Sequence, residues 1–158
     1  MSSRSGFSDD EWGLLVGLPQ AVLIAASAVE PDGDRRTVAE STAGLEAIAA
    51  GRDSGNLLVQ DVATEVVERV GEPENAVVPV ADREAGVADV LDRARAAKAL
   101  LAAKAGHGEA AAYKHWLVGI AEQVVAAAKS GGFLGIGGDW VSESEQRFVE
   151  ELATLLDD

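Results

Sequence analysis

The helix-start signal Ser/Thr-x-x-Glu stands at three predicted helix starts in this chain and restricts its fold more than any other feature. The three copies are Ser8–Glu11, Thr37–Glu40 and Ser142–Glu145. In such a capping box the hydroxyl accepts a hydrogen bond from the backbone amide of the Glu, and the carboxylate accepts one from the amide of the Ser or Thr. Each copy therefore predicts the first turn of a helix.

Apolar residues follow these signals at helical spacing, and no segment of useful length alternates as a strand does. Aromatic residues are only 4% of the chain while apolar residues are 47%, so alanine-rich helices can approach closely. We expect an all-α protein, a compact bundle of about six helices forming one domain. The predicted helices cover 8–29, 37–50, 57–70, 83–105, 109–129 and 142–156. Pro19 predicts a kink or a restart in the first of them, because proline lacks the amide hydrogen.

An internal repeat divides this domain into two predicted halves. Leu15–Leu18 aligns with Leu117–Ile120, and Val22–Ala26 aligns with Val124–Ala128. Each pair is followed by a loop and then by a capping box. The pattern is typical of two pseudo-repeated three-helix halves.

The predicted halves span about 8–70 and 83–158. Residues 71–82, with two of the four prolines, are expected to form an extended connector. Residues 1–7 are expected to be disordered.

The charge excludes several classes of partner. With 27 acidic and 13 basic residues the chain carries a formal charge of -14, which disfavours nucleic acid and anionic membranes. The absence of cysteine excludes disulfides and zinc–thiolate sites. The uncharged run 13–29 is at the short limit for a membrane span, but its proline, polar residues and alanines favour a core helix. We expect a cytoplasmic protein without a membrane span.

Two groups of carboxylates are candidate Ca²⁺ or Mg²⁺ ligands, because these cations prefer oxygen donors. The groups are Asp32, Asp34 and Glu40, and Asp139, Glu143 and Glu145. A second interpretation needs no metal: the aspartates form a turn and the glutamates complete helix caps, where the helix dipole favours acidic residues. Both interpretations are open from the sequence.

The glycine-rich loop that spans 131–140 is a candidate contact site for a partner. Glycines ahead of a helix can bind phosphate, but this loop follows a helix and has acidic neighbours that would repel an anion. It carries apolar residues that a partner can cover. They are Phe133, Leu134, Ile136 and Trp140.

No catalytic constellation is recognisable. The only histidines, His107 and His115, are eight residues apart and so do not form an i,i+4 metal pair. No serine lies in a nucleophile elbow. Trp12, Trp116 and Trp140 can line a pocket between helices, although packing in the core is the simpler interpretation. We therefore expect a protein that is not an enzyme.

The small-residue helix, acidic turn and capped helix resemble the TerB-like family of tellurite-resistance and stress proteins. The first copy reads Ala25–Ala28, Asp32–Gly33 and Thr37–Glu40, and the second reads Ala126–Ala128, Asp139 and Ser142–Glu145. In the second copy Trp140 stands where the family has glycine. The resemblance covers about half of the chain.

This resemblance implies a compact helical bundle with a non-enzymatic role in metal or envelope stress, acting through a divalent cation or a protein partner. Two other functions are open: an interaction module or homo-oligomer that uses the 131–140 loop, and a carrier of a small ligand. The sequence predicts no further cofactor.

Overall fold

The computed structural model describes the backbone of residues 6–28, 34–70, 83–131 and 143–157. Side chains are described over the same ranges except at 27–28, 34–41, 70, 83–85, 128–131 and 143–145. These residues include six α-helices and a 3₁₀ turn at Gly51–Asp53, with no strand among them. The helices are α1 (Asp9–Ala28), α2 (Asp34–Ala50), α3 (Leu57–Val70), α4 (Arg83–Lys104), α5 (His107–Gly131) and α6 (Glu143–Leu156). The predicted all-α bundle is confirmed.

One hydrophobic core holds the bundle together, and α5 lies at its centre. This helix packs along α2 and also contacts α1, α3, α4 and α6, while α1 packs against α4. Helices from the two predicted halves therefore share a single core. The largest fully buried side chains are Trp12, Tyr113, Phe148, Leu15, Leu18, Ile48, Leu58, Leu101, Leu117, Ile120 and Leu152.

The aligned segments of the predicted repeat bury equivalent positions. Leu15 and Leu117 are both fully buried, as are Val22 and Val124. The aligned Gly17 and Gly119 both lie on helix surfaces with free space where a Cβ would stand. The two aligned segments thus turn corresponding positions of their helices towards the core.

The first capping box forms as predicted. The Ser8 amide donates to Glu11 Oε1 at 2.8 Å, and the Glu11 amide donates to Ser8 Oγ at 3.2 Å, directly before α1 begins. Lys104 at the end of α4 donates to the same Glu11 carboxylate. The Lys104 ammonium and the Ser8 amide lower the pKa of Glu11. Phe7, within the segment expected to be disordered, packs against Trp12 with ring centroids 6.0 Å apart.

The second capping box does not start a helix, so that prediction was wrong. Helix α2 begins at Asp34, three residues before Thr37, which places Thr37 and Glu40 inside it. Amides inside a helix already donate to carbonyls four residues earlier, so a helix that starts at residue 34 needs no cap at residue 37. Helix α6 begins at Glu143, as a cap at residue 142 predicts, although Ser142 lies outside the described residues.

Helix α1 runs without interruption through Pro19, where the sequence predicts a kink or a restart. In a regular helix the residue-19 amide would donate to the Leu15 carbonyl, and proline has no such hydrogen. The Tyr113 hydroxyl of α5 donates to that carbonyl instead, at 2.7 Å. A side chain from another helix therefore satisfies the acceptor that proline leaves open.

Because Tyr113 is fully buried, desolvation raises the pKa of its phenol well above the ordinary value. Since it is the only tyrosine, phenolate absorbance measured against pH reports it alone. The folded chain favours the neutral hydroxyl of Tyr113. Its contribution to the stability of the fold is therefore complete below the unfolded pKa of about 10, and it is lost as the pH rises further.

We expect no phenolate absorbance from the native protein until circular dichroism shows loss of helix. In concentrated urea, where the chain is unfolded, we expect the phenol to titrate near pH 10. Phenolate appearing near pH 10 with the helices intact would contradict this. Tyr113→Phe serves as the spectroscopic blank.

Close approach between helices depends on two glycines. A Cβ on Gly51 would lie 2.8 Å from Cε2 of Trp116 and 2.9 Å from the Cβ of Ala63. A Cβ on Gly44, in the middle of α2, would lie 2.5 Å from Leu23 of α1 and 2.9 Å from Val124 of α5. Since real Cβ atoms do not come this close to other atoms, glycine allows α2 to pack against both neighbours.

Candidate functional site

A cleft of about 1200 Å³ opens where the α4–α5 hairpin meets the C-terminal end of α6. Most of its apolar lining is alanine, so we call it the alanine cleft. The alanines are Ala102 and Ala105 of α4, Ala110, Ala111 and Ala112 of α5, and Ala153 of α6. Small side chains keep the cleft wide and leave its walls smooth.

A tight connection shapes one end of the alanine cleft. Helix α4 ends at Lys104 and α5 begins at His107, two residues earlier than the sequence predicts. The Gly106 amide donates to Glu109 Oε2 at 3.4 Å, and the Gly106 carbonyl accepts the Ala110 amide at 2.9 Å. Gly106 thus acts as the cap residue of α5, with Glu109 as the returning carboxylate. This short turn holds the two cleft-forming helices side by side.

Basic side chains are concentrated in the alanine cleft. Both histidines of the chain, His107 and His115, and two of its four lysines, Lys98 and Lys114, line it. Asp157 is the only acidic residue among the described lining residues. Because the whole chain carries a formal charge of -14, this cleft differs in sign from most of the molecule.

Lys98 is held in place by the end of α6. Its ammonium donates to the carbonyl oxygens of Leu155 at 3.0 Å and Asp157 at 3.4 Å. These carbonyls have no helical donor, and a lysine there also interacts favourably with the helix dipole. Lys98 therefore joins α4 to α6 and places a positive charge in the cleft wall.

A shallower groove of about 990 Å³ continues from the alanine cleft between α4 and α6. Lys98, Ala102 and Thr154 line both concavities. The groove is mixed in charge, since Arg95 and Arg147 lie there with Glu150 and Glu151. Basic residues therefore outnumber acidic ones more strongly in the alanine cleft, four to one, than in the groove, three to two.

Two of the three tryptophans take part in packing between helices. Trp12 of α1 is buried, and its indole nitrogen donates to the Glu65 carboxylate of α3. Trp116 of α5 donates to the Ala47 carbonyl in the last turn of α2 at 3.1 Å. Neither Trp116 nor the neighbouring Tyr113 lines the alanine cleft. Trp140 lies outside the described residues.

The candidate sites predicted from the sequence fall on residues whose side chains the structure does not describe. The carboxylates are Asp32, Asp34, Glu40, Asp139, Glu143 and Glu145, and the apolar contact residues are Phe133, Leu134, Ile136 and Trp140. Among the side chains that are described, no group of three or more His, Asp or Glu is placed to hold a metal ion. Both predicted sites therefore stay predictions.

The cation site can be tested directly. If the carboxylates hold Ca²⁺ or Mg²⁺, a hundredfold excess over Kd stabilises the fold by about 2.7 kcal/mol. We expect the melting temperature to rise on titration at constant ionic strength, and the rise to disappear in Asp32→Asn with Asp34→Asn. A melting temperature unchanged by millimolar cation would contradict the site.

Sequence reasoning missed the alanine cleft. The available signal was a run of alanines beside lysine and histidine on two consecutive helices, 96–105 and 107–115. That signal becomes specific only when α6 is placed across the hairpin, since Ala153, Thr154 and Asp157 complete the cleft.

The described residues form a small helical bundle with a basic cleft, in a chain whose formal charge is -14. No protein-family model matches the chain, and comparison with curated proteins and with solved structures gave no match either. Within the ranges the structure describes, no helix is both long and apolar enough to cross a membrane.

Proposed function

We propose that this protein is a non-enzymatic, TerB-like binding protein of the cytoplasm that holds a protein partner in the alanine cleft. The observation that carries the proposal is the cleft itself, an open concavity with smooth alanine walls between three helices. The resemblance of the repeated helix, acidic turn and cap to TerB-like proteins adds a role in the stress response.

The dimensions of the alanine cleft favour a polypeptide over a small molecule. Pockets for small ligands enclose about 300–1,000 Å³ and bury most of the ligand. This cleft is larger, at about 1200 Å³, and open to solvent. A helical segment has a diameter of about 10 Å with its side chains and matches such a space.

The polar groups of the cleft favour binding over catalysis. General acid–base chemistry needs a proton donor or acceptor held within hydrogen-bond reach of the reacting atom. His107 and His115 are both exposed and lie eight residues apart on α5, a rise of about 12 Å along the helix. They are spaced to contact an extended partner at two points.

Blocking the cleft tests the proposal. Peptides selected on the full chain from a library of helical sequences are expected to lose at least about tenfold in affinity when Ala111→Trp or Ala102→Trp fills the cleft. Both alanines are exposed, so the variants should fold, and circular dichroism checks that they do.

Ala96→Trp is the matched control, because Ala96 is exposed on α4 and lines neither concavity. It should leave the affinity unchanged. A library that yields no binder, or only binders indifferent to all three substitutions, would overturn the proposal.

A further inference from the structure

We propose that the partner segment is an acidic amphipathic helix from another protein, with its apolar face on the alanines and its carboxylates against the basic rim. The basic rim comprises Lys98, His107, Lys114 and His115. This inference rests on the proposed function for the site and adds the chemistry of the occupant.

The alanines determine how the occupant packs. Ala102 and Ala111 are exposed to solvent, and Ala105 and Ala110 are half-buried, so the folded chain leaves this face open. Packed helices have axes about 8–10 Å apart, and the shortest distances occur where side chains are small. The alanine surface of the cleft therefore accommodates the larger apolar side chains of an incoming helix, which pack between the small side chains in the ridges-into-grooves manner. An amphipathic helix supplies such side chains at i, i+3, i+4 and i+7.

The basic rim determines the charge of the occupant. Lys98 is on α4 and Lys114 is on α5, so a positive lysine flanks the alanines from each helix. Lys98 is already positioned by its hydrogen bonds to the α6 carbonyls, which reduces the entropy lost on binding. Carboxylates are the side chains that complement this rim, and lysine-rich segments are repelled by it.

Long-range repulsion does not cancel this local preference. The chain as a whole is strongly negative, but at physiological ionic strength exposed charges are screened beyond about 8 Å. Groups in direct contact with the occupant therefore decide the sign of the interaction. Nucleic acid, with one charge about every 1.7 Å, would extend past the cleft onto acidic surface and is disfavoured.

The first turn of α5 adds to the same preference. His107 and Ala110 lie in that turn and line the cleft. The amides of a helix N-terminus carry partial positive charge and stabilise a nearby carboxylate. The α5 end and the lysines both favour a carboxylate, while the carbonyls at the end of α6 are already bonded to Lys98.

Two peptide libraries with the same randomised apolar positions test the inference, one with Glu and one with Lys at the polar positions. We expect selection on the full chain to enrich only the Glu library. The selected peptides should bind Lys114→Glu at least about tenfold more weakly, as measured by fluorescence anisotropy.

Arg93→Glu is the matched control, because it changes the net charge equally at an exposed residue of α4 outside the cleft. It should change the affinity by less than about threefold, or roughly 0.7 kcal/mol. Equal losses in both variants would show that only net charge matters and would overturn the inference.

The remaining outcomes separate the inference from the proposed function. If Lys-rich peptides bind as well as Glu-rich ones and Ala111→Trp blocks both, the cleft binds helices and the acidic preference is wrong. If neither library yields a binder, both proposals fail. A dimer in light scattering that dissociates in Lys114→Glu but not in Arg93→Glu would identify a second copy of this chain as the occupant and overturn a separate partner.

Discussion

Tyr113→Phe is expected to lower the free energy of unfolding by about 1–3 kcal/mol, the cost of an unsatisfied buried polar group. The substitution removes a single oxygen and leaves the ring in place, so cavity formation contributes little. It takes away the hydrogen bond to the Leu15 carbonyl, which Pro19 cannot replace. Urea unfolding followed by circular dichroism measures the loss.

The same substitution is expected to cost much less in a Pro19→Ala chain. Alanine at position 19 restores the amide that a helix directs at the Leu15 carbonyl, so the acceptor stays satisfied without Tyr113. A double-mutant cycle over the two positions should give a coupling energy of about 1 kcal/mol or more. Equal losses in both backgrounds would contradict the role assigned to this hydrogen bond, whatever Pro19→Ala does by itself.

Gly44→Ala is expected to destabilise the protein by about 1–3 kcal/mol, in the range for overpacking a core. The added Cβ would lie 2.5 Å from the Cγ of Leu23, an atom close to its own backbone that cannot swing away freely. It would also meet Val124, whose branched side chain has one strongly preferred rotamer in a helix. The α2 helix must therefore move away from α1 and α5, and thermal and urea unfolding would record the loss.

Gly119→Ala is the matched control and should act in the opposite direction. Gly119 is also helical, but nothing lies within 4 Å of the place of its Cβ. Alanine is favoured over glycine inside a helix by about 0.5–1 kcal/mol, so this variant is expected to be more stable than the parent. If both substitutions change stability in the same direction, close packing at Gly44 is not what distinguishes the two glycines.

The two sides of helix α5 connect the core to the site of the proposed function. Helix α5 contributes its buried side to the core, through Tyr113, Leu117 and Ile120, and its other side to the alanine cleft, through His115 and Lys114. A substitution on the cleft side can therefore change binding without entering the core. That separation makes Lys114→Glu and Ala111→Trp suitable tests.

Local pattern predicted most of the helices. Helix α3 spans residues 57–70 as predicted, and α4 differs by one residue at its end. In α6, Phe148, Leu152 and Leu156 are buried, while Leu155 in the last turn is only half-buried. Which face of the last turn is covered depends on where α4 lies, and periodicity within α6 does not contain that information.

The sequence by itself determined the all-α class, the approximate helices and the residues that face the core, because caps and apolar spacing act within a few turns of chain. Only the tertiary structure decided how α1 passes through Pro19, since the donor that satisfies Leu15 comes from 98 residues away. It also decided which glycines permit close packing, and it created the alanine cleft by placing the end of α6 against the α4–α5 hairpin. Each of these depends on distances between helices, which no local pattern of residues specifies.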